Sequence, residues 1–126
     1  MKIIVAEDSQ ILRMVLQGFL EEAGFTVTMT NDGAEALERL TSGREIFDLL
    51  VTDLNMPKID GAELLQKIRL AGITIPAVLQ TATSDLDNLK KGFKEIGFAA
   101  VISKDRLAEE LLPAIQEIFS ANTASN

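Results

Sequence analysis

Glu7 and Asp8, Asp53, Thr81 and Lys104 stand where short apolar runs of this chain end. Three carboxylates gathered in one place repel one another, and each tends to hold its proton. A hard divalent cation relieves that repulsion by taking oxygen ligands. Mg2+ suits the set, because it accepts one or two carboxylates, a carbonyl and several waters in an octahedron. An ammonium at Lys104 would pair with Asp53 or with a phosphoryl group, and the Thr81 hydroxyl has the size to bond a phosphoryl oxygen. Each residue also has a plainer use: Asp8, beside Ser9, as a helix N-cap, Thr81 as a β-branched strand residue, and Lys104 as a solvated surface charge. Cys and His are absent. That excludes disulfides, thiolate metal sites, the usual general base and the usual zinc ligand.

The elements that must position these residues are legible in the periodicity. Ile3-Ile4-Val5-Ala6 is a continuous apolar run, the pattern of a strand buried on both faces. Ile11, Met14, Val15, Gly18 and Phe19 recur at helical steps and predict a buried helix face ending at Gly24. Strand patterns return at Phe25–Thr30, Phe47–Thr52, Ile75–Leu79 and Ala99–Ile102. Between them lie helical patterns: Asp32–Glu35 with the spacing of a capping box ahead of Leu37 and Leu40, then Gly61–Leu70 with Leu64, Leu65 and Ile68 inward. A further helix capped at Ser84–Asp87 turns Leu86, Leu89, Phe93 and Ile96 inward. The last carries Leu107, Leu111, Ile115 and Ile118. Five βα units imply a parallel sheet with helices on both faces and right-handed crossovers. Ligands of such sheets bind beyond the carboxyl ends of the strands, where the polar residues above are found.

At 126 residues the chain fits one domain, and its 47% hydrophobic and 25% charged content is that of a globular protein. Only the polar stretch from Ser120 to Asn126 reads as a frayed end. The formal net charge of -7 argues against nucleic acid as a direct partner. No apolar run approaches the ~20 residues of a membrane span, and the N-terminal apolar stretch is too short for a signal peptide. A cytoplasmic location, with no membrane partner, is expected.

Taken together, the residues resemble the receiver domain of two-component response regulators, and chemotaxis-type single-domain receivers in particular. Asp53-Leu54-Asn55-Met56-Pro57-Lys58-Ile59-Asp60-Gly61 matches the phosphoacceptor loop D-x-N-M-P-x-x-D-G. An acidic pair follows the first strand, Thr81-Ala82 the fourth and Lys104 the fifth. The resemblance covers residues 1–120 and leaves 121–126 as a polar C-terminal tail. It implies a flavodoxin-like (βα)5 doubly wound α/β sandwich with a five-stranded parallel sheet of order 2-1-3-4-5.

Carried over by position, the resemblance makes Asp53 the phosphorylation site. Asp8, Asp53 and the Asn55 carbonyl become ligands of Mg2+ (or Mn2+), with Glu7 reaching the metal through water. Thr81, the Ala82 amide and Lys104 become phosphoryl-binding groups. Asn55 and Thr83 would tune dephosphorylation. A sensor histidine kinase or histidine phosphotransfer protein would be the donor, and an effector protein or attached output domain the target. Phosphorylation would switch partner binding, with no activity beyond self-catalysed transfer and slow autodephosphorylation.

Three positions depart from the family pattern. Glu7 stands where Asp is commonest. Asp105 stands where Pro usually follows the lysine; a non-proline cis bond costs ~3 kcal/mol, so a trans bond and an altered loop are expected. Val101 replaces an aromatic residue that turns inward on activation. The output face of the fourth helix, fifth strand and fifth helix would then comprise Val101 with the basic cluster Lys90, Lys91 and Lys94. That cluster is either a solvated face or a docking face for an acidic partner or a second copy. Three other readings compete with this one. A haloacid dehalogenase-like hydrolase needs a second Asp where Asn55 stands. A dinucleotide-binding module needs glycines where Glu7-Asp8-Ser9-Gln10 stands. The third is a degenerate receiver, a phosphorylation-independent interaction module.

Overall fold

The computed structural model describes residues 1–82 and 86–124. Five parallel strands, β1 (Lys2–Ala6), β2 (Thr26–Thr30), β3 (Leu49–Asp53), β4 (Ala77–Thr81) and β5 (Ala100–Ser103), form one sheet of order β2-β1-β3-β4-β5. They alternate with α1 (Gln10–Glu22), α2 (Gly33–Thr41), α3 (Gly61–Leu70), α4 (Leu86–Ile96) and α5 (Leu107–Ala124). This is the expected flavodoxin-like order. The Asp32–Glu35 capping box also forms. Asp32 Oδ1 accepts the Glu35 amide at 2.8 Å, and Glu35 reaches back to the Asn31 amide at 2.7 Å, starting α2 as a reciprocal cap.

Side chains of each strand alternate between two layers. Ile4, Ala6, Leu50, Leu79 and Val101 meet Ala36, Leu40, Leu64, Leu65 and Ile68 of α2 and α3. Ile3, Val5, Leu49, Val51, Val78 and Ile102 meet Leu16 and Leu20 of α1 and Leu107, Leu111 and Ile115 of α5. Each such fully buried aliphatic side chain stabilises the fold by about 1.5–3 kcal/mol relative to exposure. The alternation continues to the carboxyl edge. Asp53, two beyond Val51, and Gln80, two beyond Val78, are register partners and belong to the α1/α5 side. Thr81, two beyond Leu79, belongs to the other.

The structure corrects four sequence expectations. In α1 the inward residues are Leu12, Leu16, Phe19 and Leu20, whereas Ile11 (77%), Met14 (68%) and Val15 (56%) are exposed. Both sets fit one helical period, so periodicity alone cannot say which faces the sheet. Leu89 and Ile96 of α4 are likewise exposed, while Phe93 packs on the core; the Leu86 side chain and the expected Ser84–Asp87 cap lie outside what is described. Val101, placed on the output face by the sequence reading, is buried with Leu79 and Phe98. Finally, α5 continues to Ala124, so the polar end from Ser120 begins as helix.

Candidate functional site at the carboxyl edge

β1 ends in Glu7, whose side chain is wholly buried, and Asp8, which is exposed. Ser9 caps α1, its Oγ accepting the Leu12 amide at 3.3 Å, so capping is not the duty of Asp8. The Arg13 guanidinium donates to the carbonyls of Glu7 and Asp8, each at 3.1 Å, pinning the acidic turn from the first turn of α1. β3 delivers Asp53 with 4% exposure. Carboxylate oxygens of Glu7, Asp8 and Asp53 lie within 4.8 Å of one another.

After β5 the chain forms a 3₁₀ turn, Lys104–Arg106, capped by the Ser103 hydroxyl. No cis peptide occurs among the described residues, in line with the expected trans Lys104–Asp105 bond. The turn sends Lys104 Nζ to Asp53 Oδ2 at 2.8 Å and to Glu7 Oε1 at 3.2 Å. Burial works against the Lys104 charge, but the hydrogen bond and charge of Asp53, with help from Glu7, outweigh it and raise the pKa. Desolvation raises the Glu7 pKa above the usual carboxylate range, and the Asp53 charge adds to it. This edge thus holds a buried acid, a second nearly buried acid and one bridging ammonium. With Asp8 beside them, these carboxylate oxygens could hold a metal ion.

The loop after Asp53 is shaped by two glycines. A Cβ on Gly61 would collide with the Asp53 carbonyl, and one on Gly33 would come within 2.6 Å of the Ile59 side chain and 2.8 Å of its carbonyl. The Gly61 amide closes the loop onto the Leu54 carbonyl at 2.8 Å. Asn55 is exposed in this loop, and Ala82 is exposed just past β4. Thr81 is fully buried and its hydroxyl has no hydrogen-bond partner among the described residues. Thr83 lies outside the described residues. Lys91 and Lys94 are exposed on α4 and Lys90 is half-buried. Sequence reasoning missed Arg13 and Gln80. The second carried a signal, a polar residue inside the apolar run of β4.

The family model of the response regulator receiver domain matches residues 3–116. The chain is 31% identical over 116 residues to the transcriptional regulatory protein DltR of Streptococcus agalactiae, covering 92% of this chain and 50% of that protein. It is 32% identical over 118 residues to the response regulator MprA of Mycobacterium ulcerans, covering 94% and 50%. The chain thus spans about half the length of these relatives. Among solved structures, a receiver domain protein of Clostridium thermocellum matches with a TM-score of 0.85 at 26% identity, covering 99% of this chain and 98% of that one. The response regulator TrrA of Thermotoga maritima, solved in complex with Mg2+-BeF, matches with a TM-score of 0.79 at 27% identity, covering 92% and 96%. With its fold, its acidic edge and its sequence in agreement, the chain belongs to the receiver domain family of two-component response regulators.

Proposed function

We propose that this receiver is a phosphorylation switch in which Asp53 takes a phosphoryl group from a phosphohistidine on a sensor histidine kinase or histidine phosphotransfer protein. The observation that carries the reading is the convergence of three carboxylates within 4.8 Å with Lys104 bonded to Asp53. An Asp53 oxygen attacks phosphorus, the P–N bond to the donor imidazole breaks, and an acyl phosphate forms. Bound Mg2+ would neutralise charge on the transferring group; Glu7, Asp8, Asp53 and the Asn55 carbonyl are the groups to hold it. Lys104 turns from Asp53 to a phosphoryl oxygen, and the unpartnered Thr81 hydroxyl and the Ala82 amide are further donors. Because Thr81 hangs on the face of the sheet opposite Asp53, its engagement moves β4 and the α4 side, relaying the signal. Lys91 and Lys94, lysines of an acidic chain without an ion-pair partner among the described residues, then offer α4 to an acidic effector surface.

Incubation with acetyl phosphate and Mg2+, read by intact mass, tests the switch. The expected gain is one phosphoryl group that disappears in Asp53→Asn. No gain in the wild type would overturn the reading and leave an interaction module.

A further inference from the structure

Gln80 is fully buried on β4, after Ala77, Val78 and Leu79. Burying an amide there is costly unless its groups are bonded, and its Oε1 has no partner among the described residues. An apolar residue would pack at this position without that cost. The amide has one evident use: Nε2 donates to Glu7 Oε1 at 3.1 Å across the layer shared by β1, β3 and β4. Glu7 is wholly buried and takes three donors, the Ser9 amide on Oε2 at 3.0 Å and Gln80 with Lys104 on Oε1. Of these, Lys104 is also committed to Asp53. Whenever that ammonium is drawn elsewhere, Gln80 is the side-chain donor left on the same oxygen.

We propose that Gln80 is a positioning residue that holds the buried Glu7 carboxylate aimed at the cation site through its 3.1 Å hydrogen bond, so that Lys104 is free to move. The proposal rests on the phosphorylation-switch reading above, in that Glu7 serves a divalent ion. Because Gln80 is the register partner of Asp53, its amide is fixed by the same strand pairing that fixes the phosphoacceptor.

Gln80→Met keeps length and volume while removing the donor, a swap cores tolerate well. A hydrogen bond to a charged group is stronger than one between neutral groups. With part of it carried by the metal-bound state, calorimetric titration with Mg2+ alone should show affinity weakened about tenfold. Gln80→Glu, which sets a like charge against Glu7, should weaken it at least as much. Thermal unfolding without Mg2+ separates positioning from structure: Gln80→Met should melt near the wild type. Mg2+ affinity unchanged in both variants overturns the proposal, as does a loss of affinity accompanied by an equal loss of stability. If wild type itself binds no Mg2+, or Asp53→Asn binds it equally, the switch reading fails first and the two failures are told apart.

Discussion

Replacing Lys104 with Met removes the charge that joins the two buried acids while keeping most of the aliphatic stem. Its ammonium lies 2.8 Å from Asp53 Oδ2 and 3.2 Å from Glu7 Oε1, with Glu7 wholly buried and Asp53 nearly so. Removing one partner of a buried ion pair costs about 3–5 kcal/mol. The Lys104 side chain is 21% exposed, so water reaches the rim and a loss of about 2–3 kcal/mol at neutral pH is expected. For a chain of this size that corresponds to a Tm lower by roughly 6–15 °C. The pH dependence has a definite sign. Desolvation, then the Asp53 charge, raises the Glu7 pKa, and losing Lys104 raises it further. An acid with a raised folded pKa binds its proton more tightly folded than unfolded. Its favourable contribution is complete below the usual Glu range and is lost as pH rises through the raised value. The variant should therefore approach wild type as pH falls from neutral toward the usual carboxylate range. Circular dichroism melts in chelator are the assay, since the chain has no Trp or Tyr. A Tm within about 2 °C of wild type at neutral pH, or a gap that does not narrow with acid, refutes the reasoning.

Three further outcomes are expected. Leu16→Ala, at 1% exposure, should cost about 2–5 kcal/mol in urea unfolding, whereas Met14→Ser should stay within about 0.5 kcal/mol; the reverse order would show that α1 turns its other face to the sheet. Asp32 has its pKa lowered, first by the Glu35 amide it caps and then by Lys58. Its contribution is present above the usual Asp range and lost as pH falls through the lowered value. Asp32→Asn, which still caps, should flatten the acid side of the stability profile, and an unchanged acid limb would contradict this. Lys91→Glu with Lys94→Glu should leave acetyl phosphate labelling of Asp53 intact while weakening capture of the phosphorylated chain's effector; equal capture would return these lysines to a solvated face.

Much of the site was legible because a parallel sheet delivers its strand ends to one edge. Once βα units were read from apolar runs, Glu7, Asp8, Asp53, Thr81 and Lys104 had to share that edge, and the loop from Asp53 to Gly61 named the family. The Ser9 cap was ambiguous in sequence, since Asp8 and Ser9 can both cap. Only the hydrogen bond to Leu12 assigned the duty to Ser9.

What the linear pattern alone determined was the order of elements, their periods and the polar residue types at their ends, because these are set by local spacing. It could not determine facing. Ile11, Met14 and Val15 share the 3.6-residue period of Leu12, Leu16 and Phe19, and which set is buried depends on how α1 docks against β1, β3 and α5. Nor could it place Gln80 on Glu7, residues 73 apart. That contact exists because strands 1, 3 and 4 pair side by side, and because alternation puts positions 7, 53 and 80 on one side of the sheet and position 81 on the other.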